Sequence, residues 1–569
     1  MKTKKIKGAD IVIKCLEKAN IDTIFAYPGA ASMELHQSLM DSNIRVILPR
    51  HEQGGAFAAA GMARATGETG VVMTTSGPGA TNLLTGIADA YMDSIPLVVI
   101  TGQTTTNLIG KTAFQEIDIV GMTTPIVKHS FLVLDVNDIP AVFKQAFELA
   151  NSGRPGPVLI DLPKNIQQDF AIPKFTETHR TKVYSAKQRF RNTDIEAIKE
   201  AISLSSKPCI CAGGGIITSS AARELKIFAE SYNIPVVTTL MGIGAFPETN
   251  PLSLKFLGMH GTVYANNAVN ECDLLIVLGA RLNDRVTGPA KSFAKNAKII
   301  HVDIDKSELN KNVYADISVQ GNVKDILEAL NKEIISKEYK QWFAQIDKWK
   351  NEFPLSYNTL DTGTASSDIL PQAFIEEVYK QTKGQAVIVP GVGQHQMWAS
   401  QFYKYTHPRQ LLTSGGLGTM GFDLPSAMGA KIALPESIVI AIAGDGSVQM
   451  NIQELGTIHN ENIDIKIIIL NNQHLGMVAQ WEDKFYGSRR GNTELGNKNV
   501  NRPYPDFVRL ANSYGIAGRE VYKADEMADA IQEMLQYDGA FILDVHTKYQ
   551  EHVIPMWPPG VDYKGIITN

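Results

Sequence analysis

Residues 437–449, SIVIAIAGDGSVQ, and 463–473, IDIKIIILNNQ, decide the fold. Each opens with an apolar run that reads as a buried strand and closes on a turn signal. The signals are GDG at Gly444–Gly446 and NN at Asn471–Asn472, with 24 residues between Gly446 and Asn471. That gap accommodates a helix, so the strands run parallel in a sheet covered on both faces. Asp445 and Asn472 then reach one sheet edge, at the strands' carboxyl ends, where open α/β sheets bind ligands. Asp445 supplies an anionic oxygen and Asn472 an amide oxygen, a set that suits Mg²⁺ beside a diphosphate. The glycines let backbone approach phosphate, and the helix start after GDG favours anions. Either dipeptide alone reads as a strand-end turn. Both together, at this spacing, point to a metal–diphosphate site.

The same alternation extends outward from this pair. QAVIVPGVG (385–393) and AFILDVH (540–546) add strands to this block. A middle block carries KPCICAGGGI (207–216), PVVTTL (235–240), DLLIVLGAR (273–281) and KIIHVDID (298–305). A first block carries IDTIFAYPG (21–29), RVILPRHE (45–52), GVVMTTSGPGA (70–80) and IPLVVITGQ (95–103). The expected class is α/β, with three doubly wound parallel-sheet domains over 1–173, 193–345 and 369–569. A polar connector over 174–192 and a second linker near 354–368 would join them.

Composition agrees with that reading. The chain has 569 residues, 44% hydrophobic and 20% charged, which is ordinary for a globular protein of several domains. A net charge of −5 is too mild to steer it to nucleic acid or an anionic membrane. Its four cysteines, Cys15, Cys209, Cys211 and Cys272, form no CxxC or zinc spacing, which fits a reducing compartment. No apolar run approaches a membrane span, and the basic start lacks a secretory apolar core. The expectation is a cytoplasmic protein with no nucleic-acid or membrane partner.

GDG, about 25 residues, then NN resembles the motif of thiamine-diphosphate enzymes. The resemblance covers nearly the whole chain and narrows to the acetohydroxyacid (acetolactate) synthase catalytic-subunit family. It is carried by FAYPGAASMELHQ (25–37), LPRHEQGGAFAAAGMARATG (48–67), TSGPGATN (75–82), TLMGIG (239–244), LGMHGTVYAN (257–266), GVGQHQMW (391–398), SGGLGTMGF (414–422), LNNQHLGMVAQWEDKFYG (470–487) and EHVIPMWPP (551–559). The three blocks then become a pyrimidine-binding, a central flavin-type and a diphosphate-binding domain.

The resemblance implies roles residue by residue. Alone, Glu52 reads as a first-turn glutamate complementing a helix dipole. The family match makes it the carboxyl that shares a proton with the cofactor's aminopyrimidine. Met420 would prop the cofactor into its bent form, although a core methionine is an equal reading of that residue by itself. Gln115 matches a polar active-site residue. Pro28, Gly29, Gln394, His395, Gly418, Gly444, Gly446, Ser447 and Met477 match the thiamine diphosphate site, and Asp445, Asn472 and His474 the Mg²⁺ site. Lys164, Arg285 and Trp481 match the substrate channel. Arg285 could hold a carboxylate bidentately, and an aromatic wall at Trp481 could reward one extra methylene.

Gly213–Gly215 follow a strand but lack the full dinucleotide fingerprint, so those residues leave flavin open. The resemblance implies a structural FAD, through Arg154, Gly214, Thr239, Leu240, Met241, Met259, His260, Gly279, Arg281, Asp303 and Ile304. It further implies pyruvate and 2-oxobutyrate as substrates, in branched-chain amino-acid biosynthesis. The assembly would be a homodimer or homotetramer with sites shared between subunits, and a separate small regulatory subunit is a possible partner. Five positions depart from the family pattern: Ala30, Asn107, Thr124, Asn322 and Asp423. They keep open a divergent thiamine-diphosphate carboligase or decarboxylase acting on another 2-keto acid. Intact Glu52, Asp445 and Asn472 argue against a non-catalytic homologue.

Overall fold

A computed structural model describes residues 5–175, 190–333, 337–357, 368–496 and 504–568. The expected connectors lie largely outside these residues. The three sheets read from the sequence are present, and each is wholly parallel. The C-terminal sheet has the order Val387–Pro390, Val439–Gly444, Lys466–Asn471, Phe541–His546, Ala517–Val521. Gly444 lies opposite Leu470, so the GDG and NN turns leave adjacent strands at the same edge.

The middle sheet has the order Ser253–Phe256, Val236–Thr238, Pro208–Ala212, Leu274–Leu278, Lys298–Asp303, Ile317–Gln320. The N-terminal sheet has the order Arg45–Ile47, Thr23–Ala26, Gly70–Thr74, Leu97–Gln103, Pro157–Pro163, His129–Leu132. An antiparallel pair, Ile6–Lys7 with Phe170–Ala171, ties the first residues described to the end of that block.

The central strands are buried along their whole length, as runs such as LVVITGQ and KIIILN require when helices cover both faces. One apolar core is shared by the N- and C-terminal sheets. Its seam is the crossing of helices Glu52–Thr66 and Asp423–Ala433. The first helix is rich in Gly and Ala because the backbones nearly touch. A methyl on Gly61 would sit 2.6 Å from Ser426 Cα, and one on Gly429 would strike the Ala58 backbone. This close crossing fixes the position of Glu52, the first residue of its helix.

Candidate active site

The structure brings Asp445 and Asn472 to one edge of the C-terminal sheet. Asp445 begins a short helix directly after its strand and is 2% exposed. Burial pushes its carboxyl up to about 7, and Oδ2 has no hydrogen-bond partner. Asn472 Nδ2 donates to Gln394 Oε1 at 3.2 Å, which orients the amide and commits its nitrogen. Gln394 Nε2 in turn donates to Gln480 Oε1 (3.0 Å) and to the Glu551 carbonyl (2.8 Å). The Nδ1 of His474 lies 2.6 Å from the Asn472 carbonyl, and its ring packs on Tyr549. His395 is buried beside GDG, since a methyl on Gly444 would lie 2.8 Å from its Nδ1. Its Nε2 also lacks a partner, and burial drives its pKa down to about 3. Gly446 faces Met420, whose Cε would be 3.3 Å from a methyl there. A buried carboxylate oxygen without a partner is costly. Beside an amide oxygen and a helix start, it fits a hard divalent cation holding an anion.

A second group lies at the carboxyl edge of the N-terminal sheet. Glu52 is half-buried, and its Oε2 accepts from Asn82 Nδ2 at 2.9 Å. His51 caps the helix, its Nδ1 accepting from the Gln53 amide. Gly77 packs against Gln115, whose backbone is left-handed at φ 58°. Such a conformation at a non-glycine residue marks stored strain of the kind found at functional sites. Gly29 packs against Thr75, and the Thr75 hydroxyl accepts from the Ala31 amide. Pro28, Gly29, Gln115 and Glu52 therefore surround one short stretch, 75–82.

A continuous cavity of about 830 Å³ runs where all three domains meet, lined from the N-terminal domain by residues such as Arg64, Asp93 and Arg154. All eleven residues expected to bind flavin line it. So do Arg285, Gly418, Met420, Met477 and Trp481, which places those channel and cofactor residues on one surface. Glu52, Gln115 and Lys164 are not among its lining residues. At its middle-domain end, methyls on Gly213 or Gly215 would strike residues 279–280, so these glycines let the two strand-end turns pack closely, and Gly214, Gly215 and Gly279 line the cavity there. Arg154 pairs with Glu308 at 3.0 Å. His260 is buried, with Nδ1 3.3 Å from the Pro555 carbonyl, and desolvation lowers its pKa to about 4. The cavity's size and glycine-lined end fit a dinucleotide.

Two acidic networks were not anticipated from the sequence. Glu454, fully buried in the C-terminal domain, accepts from the Arg50 amide (Oε1 3.0 Å, Oε2 3.1 Å) and the His51 amide (3.0 Å). It thereby clamps the turn that precedes Glu52. Arg64 donates to Asp89 (2.5 Å) and Asp93 (3.0 Å), and Asp93 accepts from the Gly415 and Gly416 amides. That network holds the SGGLG loop carrying Gly418. The Glu454–Arg50 contact spans 404 residues and the Asp93–Gly415 contact 322, so no local pattern could have found them.

The departures are accommodated. Ala30 is exposed, Thr124 Oγ1 donates to the Val120 carbonyl, and Asn107 accepts from Thr105. Asn322 caps helix Val323–Leu330, accepting from the Lys324 amide at 2.9 Å. Asp423 is fully buried and accepts from Ser447 Oγ at 2.5 Å, one residue past GDG.

Three thiamine pyrophosphate enzyme families match the chain. The N-terminal TPP binding domain matches residues 6–122, the central domain 195–330 and the C-terminal TPP binding domain 391–545. The chain is 50% identical to acetolactate synthase 3, chloroplastic, of Brassica napus, over 99% of this chain and 87% of that protein. It is 50% identical to the chloroplastic acetolactate synthase of Arabidopsis thaliana, over 99% and 84%. Acetolactate synthase 1, chloroplastic, of Oryza sativa subsp. japonica is 49% identical, over 99% and 88%. These findings correct the expectation of a cytoplasmic protein, because the relatives are named as chloroplastic proteins. Among the described residues no helix is long and apolar enough to cross a membrane.

Proposed function

This chain belongs to the acetolactate synthase family of thiamine-diphosphate enzymes, and from that premise we propose how its residues divide the work. Its activity is acetolactate synthesis from pyruvate. Thiamine diphosphate, when bound, supplies the electron sink on which a 2-keto acid can lose carbon dioxide. Asp445 and Asn472, with the loop carrying His474, hold Mg²⁺. Gly444, Gly446 and Ser447 receive the diphosphate with Gln394, His395 and Gly418, and Met420 and Met477 pack the cofactor's apolar part. The observation that carries this assignment is the partnerless, buried Asp445 Oδ2 at the strand end beside Asn472.

Glu52 holds and returns a proton at its Oε atoms, in a turn fixed by Glu454. Glu52 and Gln115 lie outside the cavity of Met420 and Trp481, and the family resemblance has a complete site join the N-terminal edge of one subunit to the C-terminal edge of another. Phe114, beside Gln115, is 89% exposed in the single chain, which suits burial at such an interface. The protein is therefore at least a homodimer. Arg285, at the cavity mouth, orients the acceptor's carboxylate, and Trp481 walls its alkyl group. The residues around Arg154, Gly214 and Asp303 hold FAD, which is structural because the net reaction has no redox step. Pyruvate and 2-oxobutyrate serve as alternative acceptors, which places the enzyme in branched-chain amino-acid synthesis.

The test is to supply equal pyruvate and 2-oxobutyrate to the protein with thiamine diphosphate, Mg²⁺ and FAD. Acetohydroxybutyrate in excess over acetolactate is expected. Acetaldehyde or acetate without either acetohydroxy acid would overturn the reading.

A further inference from the structure

Two strands along from the GDG turn, at the same carboxyl edge, the C-terminal sheet gathers a second set of ligating groups. The outermost strand, Ala517–Val521, pairs with Phe541–His546 so that Glu520 lies opposite Asp544. Asp544 and His546 are two residues apart and so share a sheet face. The three side chains converge, with one ligand atom from each lying within 4.8 Å of the others. His546 Nε2 is 3.5 Å from Asp544 Oδ2 and 4.0 Å from Glu520 Oε1.

Two observations point to an occupant. Asp544 is 1% exposed, and Asn471 Nδ2 donates to its Oδ1 at 2.9 Å, which leaves Oδ2 buried without a hydrogen bond, 3.5 Å from His546 Nε2. His546 Nε2 is likewise buried and without a partner. The surrounding groups are already oriented. The Tyr522 ring stacks on the imidazole at 4.2 Å and 7°, and its hydroxyl donates to Glu520 Oε1 at 3.1 Å. Outer contacts of this kind orient metal ligands. Tetrahedral bonds of about 2.0–2.1 Å would set ligand atoms about 3.3 Å apart, close to the 3.5 Å between His546 and Asp544, while Glu520, 4.0 Å from His546, would move inward on binding.

We propose that Glu520, Asp544 and His546 form a binding site for a transition-metal dication of the zinc class, distinct from the site at Asp445 and Asn472. Two carboxylate oxygens and one imidazole nitrogen leave a fourth position for water, reached past the half-buried Glu520. The cation ties the edge strand to its neighbour, one hydrogen bond from Asn471.

The holoenzyme, with thiamine diphosphate, FAD and saturating Mg²⁺, is dialysed against Zn²⁺ and its zinc content measured. One equivalent per chain is expected in the wild type, with binding at least tenfold weaker in His546→Gln and in Glu520→Gln. Zinc should raise the wild-type thermal midpoint and leave those of the variants unmoved. Co²⁺ should give the visible absorption of a four-coordinate site, lost in His546→Gln. Equal zinc binding in wild type and both variants overturns the proposal. So does an absence of binding, which would mean that a protonated His546 bridges the two carboxylates.

Discussion

Beside GDG, the C-terminal sheet edge holds two buried polar atoms without hydrogen bonds among its bonded ones, whereas the carboxyl at the N-terminal edge is bonded. Asp445 Oδ2 and His395 Nε2 are buried and unbonded, while Glu52 is half-buried and bonded to Asn82. Both edges come from the same architecture of parallel strands running into glycine turns. They differ in depth, and depth sets the chemistry. A dehydrated carboxylate gains most from a cation, which cannot be replaced by water at that position. On the proposed assignment, one edge holds and the other transfers.

The largest break in this comparison would come from Asp445→Asn. It should lose retained thiamine diphosphate and Mg²⁺ together, with activity falling by on the order of 10³-fold or more, because several kcal/mol of charge stabilisation goes with the metal. Glu52→Gln should instead keep the cofactor and lose about 10²–10³-fold in kcat. Cofactor retention after gel filtration, measured beside steady-state kcat, separates the two. Loss of cofactor from Glu52→Gln would erase the distinction between the edges.

Glu454→Ala sharpens it at smaller scale. That carboxylate accepts both the Arg50 and the His51 amides. Its removal leaves two amides unsatisfied at about 1–3 kcal/mol each and frees the turn before Glu52. The thermal midpoint should fall, kcat should drop about tenfold and the Mg²⁺ requirement should stay. Glu454→Gln, which keeps one acceptor, should recover part of both. A changed Mg²⁺ requirement would place Glu454 on the holding edge instead.

Asp423 offers a pH test on the holding side. Its carboxyl, near 3.9 when unfolded, is raised by burial to about 6. Between those values the folded chain keeps a proton that the unfolded chain has lost. Stability therefore falls as pH rises from about 4 to 6, and the full penalty applies above 6. Asp423→Asn lacks this slope. Its advantage over wild type should grow across that window, to at most about 3 kcal/mol. Parallel stability–pH curves would show that burial does not raise this carboxyl.

Much of this was legible before any coordinates. Runs such as SIVIAIAG and IDIKIIIL state their own burial, and period and turn residues are local properties. Asp445 and Asn472 were placed because each sits directly after such a run. The positions of Gln115 and Arg285 needed the family resemblance, since no spacing distinguishes them from surface groups. Glu454 is invisible in the sequence because its partner Arg50 lies in another domain, and so is Asp93, which joins Arg64 of its own domain to Gly415 of the C-terminal one. The Glu520–Asp544–His546 cluster needed strand register, and the outermost strand, AGREV, has no apolar run to mark it.

The smallest expected effect tests what the shared cavity does for selectivity. Trp481 is half-buried, leans on Phe485 with ring centroids 5.2 Å apart, and lines the cavity with Met420 and Met477. Its wall can distinguish 2-oxobutyrate from pyruvate only through one methylene, which is worth about 1–3 kcal/mol in a close-fitting pocket. Trp481→Leu keeps the wall apolar and removes the fit. The ratio of acetohydroxybutyrate to acetolactate, with both acceptors present, should fall about tenfold while total turnover changes less. If Trp481 served the diphosphate edge instead, the product ratio would hold and the thiamine diphosphate requirement would rise. The product ratio thus reads the cavity separately from either sheet edge.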